Sequence, residues 1–433
     1  MAAWKEGNVA STVHQVPVVA AASGLKLEPI STRLKRRLVH SNRKGNLYGL
    51  SYSPGGKRIV SADYPGGTIQ MWDSESGRQL TKIEAGSGYR ASTQVFFISP
   101  DWKTLYTLPR QERKYTMFEK GGERWIRWEF EGSARAWDLS TGELRTTYQQ
   151  SGRGIFAIDL SPDGSTLVSG EDLSGETKER PPREATLWDL RTGQGRPLGR
   201  DLSIPLSFSP DSKRFAATSY DEKRQIMGLR LFDVATSKQE ASLSLAEKSA
   251  LITSIAFSPD GKLLVGQVRA AKGGAHSLKF WDATSLKELG SIDADPGDFF
   301  HEMTFSPDGL MLAVGNQQAP QSKLFLVDVS AKRLKATIVL GDKGLVRKPA
   351  FSPDGRRLAA ISQHLPNLRP FPELRAEESP QGRVHLIDPT SGQMRETLVL
   401  PQGFPGSACF SPDGKTLATT GQGELLLWDV TGL

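Results

Sequence analysis

Apolar runs a few residues long recur throughout the chain, each cut off by polar turn residues, as in Ile252-Thr253-Ser254-Ile255-Ala256-Phe257 before Ser258-Pro259-Asp260-Gly261. The length and composition of these runs read as strands. The turn that follows recurs eight times, with Ser-Pro pairs at Ser53, Ser99, Ser161, Ser209, Ser258, Ser306, Ser352 and Ser411. Pro presets the second position of a type I turn and Gly accepts the left-handed backbone that follows, so Ser-Pro-Asp-Gly is a hairpin turn. The strand before it is designated a, and the one after it, such as Lys262-Leu263-Leu264-Val265, is b.

A third strand, c, closes each time on a large apolar residue followed by Asp. These pairs are Trp72-Asp73, Trp137-Asp138, Trp188-Asp189, Phe232-Asp233, Trp281-Asp282, Val327-Asp328, Ile387-Asp388 and Trp428-Asp429. Asp in that place hydrogen-bonds the backbone two residues on. A further extended run, such as Glu143-Leu144-Arg145-Thr146-Thr147-Tyr148, completes four antiparallel strands as d. From each Asp pair to the next Ser-Pro the intervals are 27, 24, 21, 26, 25, 25 and 24 residues, so d and the following a form a regular unit.

Self-similarity at such a period marks a repeat architecture in which each unit buries its faces against its neighbours. The residues above resemble the WD40-type β-propeller superfamily, from about Leu34 to the C-terminus. The resemblance implies an all-β, eight-bladed propeller of four-stranded antiparallel blades, with seven blades as the lesser alternative. The repeats depart from the family pattern. Asp is replaced by Gly55 in the first turn, Gly by Trp102 and Ser212 in the second and fourth, and Trp by Phe232, Val327 and Ile387. No Gly-His dipeptide occurs, so the family's hydrogen-bonded Asp, His, Ser/Thr and Trp network is not expected, and the repeats look like the divergent propellers common in bacteria.

The eighth repeat stops after strand c, which leaves a strand edge to be covered. Residues 33–40, Arg33-Leu34-Lys35-Arg36-Arg37-Leu38-Val39-His40, stand where a strand d would and are expected to pair near Leu425 to Trp428, closing the ring. The rival reading of Lys35, Arg36 and Arg37 is a nucleic-acid patch or targeting signal. One domain, 33–433, then follows a leader, 1–32, expected to be poorly ordered or packed on the surface. Residues 8–23, with Val16 to Ser23 among them, faintly resemble a signal peptide, but His14 and Gln15 interrupt the apolar stretch.

Composition adds bounds. The 55 cationic and 48 anionic residues are interspersed, so the net charge of +7 carries no specific nucleic-acid signal. Cys409, the sole cysteine, is expected as a buried core thiol. No apolar run is long enough for a membrane span, and a cytoplasmic location is favoured.

The intervals from Ser-Pro to the Asp pair, 19, 38, 27, 23, 23, 21, 35 and 17 residues, place long insertions between b and c in repeats two, three and seven. In a propeller the b–c and d–a loops share one face, which makes that face the candidate interaction surface. The second insertion is the most distinctive, and Glu123 to Phe130 reads as an extended hairpin arm. Its candidate partner-binding residues are Tyr115, Phe118, Arg124, Trp125, Arg127 and Trp128, rich in the Arg and Trp of interface hot spots. The alternative is simply longer strands with aromatics between them. The third insertion, Glu171 to Glu184, reads as a solvated charged loop, and the seventh, Ser362 to Gly382, as an ordered loop of polyproline character.

Chemistry is sparse. Nucleophile-elbow, phosphate-loop and His-Glu-x-x-His patterns are absent, and the six histidines show no ligand spacing. Asp293, Asp295 and Asp298 lack the rest of a calcium loop and read as an acidic d–a loop. The expected function is a non-catalytic, monomeric scaffold for a protein or peptide partner, with no cofactor and no metal. The alternatives are an enzyme or small-ligand receptor using the axial channel, or the sensor propeller of a larger signalling polypeptide.

Overall fold

The computed structural model describes residues 18–20, 33–40, 46–64, 67–86, 96–108, 112–178, 183–220, 227–246, 250–270, 276–316, 319–364, 382–400, 406–421 and 423–433. Every regular element among them is a strand. In chain order they are β1 (Val18–Ala20), β2 (Leu34–Val39), β3 (Asn46–Tyr52), β4 (Arg58–Tyr64), β5 (Thr68–Asp73), β6 (Gln79–Glu84), β7 (Phe96–Ile98), β8 (Thr104–Thr107), β9 (Glu112–Lys120), β10 (Glu123–Glu131), β11 (Ala134–Asp138) and β12 (Leu144–Tyr148). There follow β13 (Arg153–Leu160), β14 (Thr166–Leu173), β15 (Gly175–Thr177), β16 (Arg183–Asp189), β17 (Gly195–Arg200), β18 (Leu202–Phe208), β19 (Arg214–Tyr220), β20 (Met227–Asp233), β21 (Gln239–Ser244), β22 (Leu251–Phe257), β23 (Leu263–Arg269), β24 (His276–Asp282) and β25 (Glu288–Asp293). The last are β26 (Phe300–Phe305), β27 (Met311–Asn316), β28 (Ala319–Asp328), β29 (Arg333–Phe351), β30 (Leu358–His364), β31 (Arg383–Ile387), β32 (Met394–Val399), β33 (Ala408–Phe410), β34 (Thr416–Thr420) and β35 (Glu424–Asp429).

They assemble into four-stranded antiparallel sheets of consecutive strands, β3-β4-β5-β6, β18-β19-β20-β21 and β22-β23-β24-β25. In β12-β11-β8-β7 and β13-β14-β16-β17 the skipped strands belong to insertions. Strand β29 runs unbroken from the outer position of β26-β27-β28 into the first position of β30-β31-β32, joining two units in one sheet. Its outer part also pairs in parallel with β1, Val18 opposite Thr337. The rest of the leader lies outside the described residues, as do residues 365–381 of the seventh insertion.

Residues 33–40 lie at the expected place. β2 pairs antiparallel with β35, Leu34 opposite Trp428 and Leu38 opposite Leu425, completing β2-β35-β34-β33. Lys35 reaches Asp429 at 3.1 Å and Arg33 reaches Glu396 at 2.7 Å, so two of the basic side chains answer carboxylates of the last two repeats.

The turns explain the repeat. In seven of them the Ser hydroxyl donates to the Asp carboxylate two residues on, at 2.5 to 2.6 Å, as in Ser258 to Asp260 and Ser352 to Asp354. The same hydroxyl oxygen accepts the amide five residues on, for example Leu263 N at 2.9 Å. Trp102 and Ser212 adopt φ of 58° and 60° at the glycine position. Each has compensation, since Trp102 packs on the cluster around Val60 and Trp137, and the Ser212 hydroxyl accepts Asp163 N at 3.0 Å. At the other turn each c-strand Asp accepts turn amides, as Asp138 does from Ser140 at 2.8 Å and Thr141 at 2.9 Å.

One expectation is corrected. Part of the Trp hydrogen-bond network is present: the indole N–H donates to Ser or Thr two residues past its cross-strand partner, from Trp72 to Ser61, Trp137 to Thr107, Trp188 to Ser169 and Trp428 to Thr419, at 2.7 to 3.0 Å. In the first repeat His40 is buried with Asp63, whose carboxylate opposes the burial that lowers the imidazole pKa. Where Trp is replaced by Phe232, Val327 or Ile387, the matching b-strand position is Ala217, Val314 or Ala360. At Trp281 it is Gly266, where a Cβ would come 2.6 Å from the indole, and Trp281 Nε1 has no partner among the described residues.

The core is divided into clusters, each shared by two successive repeats. One joins Trp281, Leu264 and Ile252 to Leu229 and Leu231, and another joins Leu38, Leu425 and Leu427 of the last sheet to Leu47, Ile59 and Trp72 of the first. Cys409 is half-buried on that latter cluster, where burial pushes its thiol up to about 12.

Replacing Trp428 by Phe strands the Thr419 hydroxyl and is expected to cost about 1–3 kcal/mol, whereas Trp281→Phe breaks no such bond and costs clearly less. Urea midpoints of the two variants test the difference, and equal losses would contradict the bonding scheme. Hydrogen bonds from turn residues hold all eight c-strand Asp carboxyls below the ordinary 3.8, Asp429 at about 2. The unfolded chain takes up these protons first as pH falls, so this stabilisation is complete above the ordinary value and is lost on descent toward about pH 2. Denaturant midpoints should therefore hold near neutrality and fall steadily below about pH 4.

Candidate functional site

The second insertion leaves the sheet of β7 and β8 as a separate hairpin. β9 and β10 are joined by Gly121 and Gly122 at φ of 63° and 78°, the left-handed pair that a two-residue turn of this hand requires. Pairing is continuous from Glu123 opposite Lys120 to Glu131 opposite Glu112. β15, from the third insertion, adds to the other side of β10, with Arg127 opposite Glu176 and Trp128 opposite Gly175. The insertions of two successive repeats thus build one three-stranded arm. Phe130, only 2% exposed, anchors its base, and the Phe130 amide donates to the Ser174 hydroxyl at 2.9 Å.

The pleat divides the six predicted residues between two faces. Phe118, Trp125 and Arg127 share one, where Arg127 lies 5.4 Å from the Phe118 ring centroid and Lys120 and Lys178 lie 5.2 and 5.5 Å from that of Trp125. Glu176 ties this face together, accepting Arg127 at 2.8 Å and Lys120 at 3.1 Å. Those hydrogen bonds, Arg127's foremost, lower the Glu176 carboxyl pKa and in return raise that of Arg127. Tyr115, Arg124 and Trp128 take the other face with Met117 and Ile126. There Tyr115 and Trp128 centroids stand 5.5 Å apart and Trp128 stacks on Phe130 at 5.8 Å. Tyr115 and Met117 are 57% and 51% exposed, large apolar side chains left open to solvent.

Sequence reasoning missed Met117 and β15. The alternation of Tyr115 and Met117 in β9 carried a signal for the first, whereas Gly175-Glu176-Thr177 has no strand composition and is recruited by β10. The solvated-loop reading of the third insertion is corrected accordingly. Glu171 and Asp172 are buried within β14, because Arg153 reaches Glu171 at 2.8 Å and Arg183 reaches Asp172 at 2.9 Å. Ser169 links this pair to Trp188, donating to Glu171 at 2.7 Å while accepting the indole at 2.9 Å. Residues 179–182 lie outside the described residues.

Other titratable groups are mostly committed to the fold. His385 bridges Ser362 at 2.7 Å and Thr397 at 2.9 Å, and burial presses its pKa to about 3. Asp298 meets Lys323 at 2.8 Å. Asp159 accepts the amides of Leu160 at 2.9 Å and Phe208 at 3.3 Å, and burial pushes its carboxyl up to about 7. Irregular pairing in β26 and β29 brings His301, Glu302, Arg347 and Lys348 together, with Glu302 accepting Lys348 N at 2.7 Å. Glu302 and Lys348 hold φ of 31° and 41°, a strained arrangement that no sequence pattern announced. Among the described residues no cluster of His, Cys, Asp or Glu has a metal-holding arrangement, and no helix is long and apolar enough to cross a membrane.

Tandem four-stranded antiparallel sheets with this turn chemistry define a protein of β-propeller type. Residues 238–282 and 403–429 match the family model described as WD domain, G-beta repeat. The chain is 29% identical over 208 residues to the WD repeat-containing protein SL1-17 of Schistosoma mansoni, covering 46% of this chain and 59% of that protein. Over 308 residues it is 24% identical to eukaryotic translation initiation factor 3 subunit I of Culex quinquefasciatus, covering 66% of this chain and 83% of that protein. Its fold resembles the crystal structure of the C-terminal WD40 domain of Sif2, with a TM-score of 0.61 at 12% identity over 92% of this chain and 99% of that one. Together these likenesses support a WD40-type β-propeller. Neither named relative is bacterial, so they lend nothing to a bacterial origin.

Proposed function

We propose that this chain is a non-catalytic interaction scaffold, a single eight-bladed ring over residues 33–433 that meets a protein or peptide partner through its b–c and d–a loops. The observation that carries the reading is the arm, whose two faces carry the exposed Tyr115, Arg124 and Arg127 beside the half-buried Phe118, Trp125 and Trp128, on strands outside the repeat pattern. The family and the relative named as a subunit of an initiation factor fit such a role. Closure into eight blades is supported by the β2 to β35 pairing and by the turns. A methyl on Gly309 would meet Pro259 of the preceding repeat at 3.2 Å, and one on Gly56 of the first repeat would meet Pro412 of the last at 3.5 Å.

Affinity capture with the intact chain should recover specific partners that a Trp125→Ala, Trp128→Ala variant loses by about tenfold or more. Equal recovery by both chains would make the arm structural and sink its assignment as the partner surface. Electron-microscopic class averages viewed down the axis should show eight lobes in an unbroken ring. Seven lobes, or a gap, would overturn the closure.

A further inference from the structure

The a–b turns are alike in seven repeats and different in the first. In those seven the Asp carboxylate accepts two donors, the Ser hydroxyl and the amide two residues beyond the Asp, the latter at 3.0 to 3.1 Å, as from Lys262 N to Asp260. The first repeat has Gly55 where the Asp would stand. Its turn is otherwise built as the others are, because Gly56 N donates to the Ser53 carbonyl at 2.8 Å and the Ser53 hydroxyl oxygen accepts Arg58 N at 3.0 Å. Both donors are therefore held in place, yet the Ser53 hydroxyl and the Lys57 amide have no acceptor among the described residues. Ser53 is only 8% exposed, and buried polar groups are as a rule hydrogen-bonded.

These donors face open space. A Cβ on Gly55 would meet nothing within 4 Å, and a cavity of about 1020 Å³ lies there between the first and last repeats. Lys35, Arg36 and Lys57 line it. Lys35 is engaged by Asp429 at 3.1 Å and Arg36 by the Ser76 carbonyl, whereas Lys57 forms no ion pair among the described residues. Asp73, Glu75 and Asp413 in the same wall offset these charges, with Asp73 held by the Ser76 hydroxyl and Asp413 by the Ser411 hydroxyl, each at 2.6 Å. With the two signs matched, no general field selects a ligand, and selection falls to the directed donors at Gly55. Tyr52, also in the wall, adds a buried hydroxyl with no partner among the described residues.

We infer that this cavity binds an acidic peptide segment, whose Asp or Glu carboxylate enters at Gly55 and accepts the Ser53 hydroxyl and the Lys57 amide, with the Lys57 ammonium beside it. A carboxylate is the group that the same two donors hold in the seven other repeats, and charge-assisted hydrogen bonds of this kind are the strong ones. The cavity is far larger than one carboxylate, at the upper end of ligand pockets of about 300–1,000 Å³. Its exposed Pro54, Lys57 and Pro412 leave it open to solvent, so a chain can pass in and out. The a–b turns lie at the opposite end of the repeats from the arm, so the failure of either site leaves the other untouched.

Amide resonances of the isotopically labelled full chain test the inference, with a capped hexapeptide of Gly and Ser around one central Asp as the probe. Its titration moves the Lys57 amide resonance to a plateau, and the counterpart with Asn binds about tenfold or more weakly. Gly55→Asp supplies the turn with its own carboxylate, so binding is lost while the urea midpoint rises, which separates loss of the site from loss of the fold. Gly55→Ala adds no acceptor and binds the peptide as the unaltered chain does. Acetate at the same concentrations leaves the Lys57 resonance nearly unmoved. An unmoved resonance with the Asp peptide, equal binding of the Asp and Asn peptides, or undiminished binding by Gly55→Asp would each overturn the site. Acetate binding as tightly as the peptide would overturn the peptide assignment and make a small carboxylate the ligand.

Discussion

The carboxylate that closes each short turn is the constraint on which the rest of the structure depends. At seven of the eight a–b turns Asp accepts a serine hydroxyl, and after each strand c another Asp accepts backbone amides, so the short connections lie together at one end of the repeats. Hydrogen-bonded turns of that kind leave no room for insertion without loss of their bonds. Length variation is driven to the opposite end, where the b–c connections of repeats two and three join to make the arm. The chemistry of the conserved-looking face thereby decides where the distinctive surface stands.

Within the sheets, size and polarity trade off in pairs. Ser or Thr on strand b accompanies four of the five c-strand Trp residues, and small or aliphatic residues accompany Phe232, Val327 and Ile387. A buried indole N–H needs an acceptor, and a buried hydroxyl facing Phe or Ile would lack a donor, so the two positions are coupled. Trp281 is the exception, because Gly266 gives up the acceptor to admit the ring at close range. The apolar clusters between repeats therefore tolerate changes of side chain provided that both strands change together.

Much of this was legible in the sequence because turns are local. Ser-Pro-Asp-Gly specifies its own geometry, and the missing strand after Asp429 pointed to residues 33–40 as its substitute. Alternation likewise marked Glu123 to Phe130 as an extended arm, without locating the turn at Gly121-Gly122 or the pairing with β9. What could not be read depends on contacts between segments remote in sequence. Gly175 to Thr177 becomes a strand only because β10 offers an edge, and Glu171 is buried because Arg153 stands across the sheet to neutralise it. Alternation along Glu123 to Phe130 already separates Arg124 and Trp128 from Trp125 and Arg127, and the pairing of β9 with β10 keeps them on opposite faces.

The pairing of β2 with β35 has a bearing on how the chain is made. The Arg33 guanidinium meets the Asp429 carbonyl across 396 residues of sequence. At a synthesis rate of about 5–20 residues per second, the earlier strand waits roughly 20–80 s for its partner. During that interval β2 has no sheet to join, and Leu38 has none of its eventual neighbours from the last repeat. Loop closure over such a span is slow compared with the local hairpins, which can form as each repeat emerges. The pairing of β2 with β35 thus depends on contacts across nearly the whole chain and is expected to form after the local hairpins.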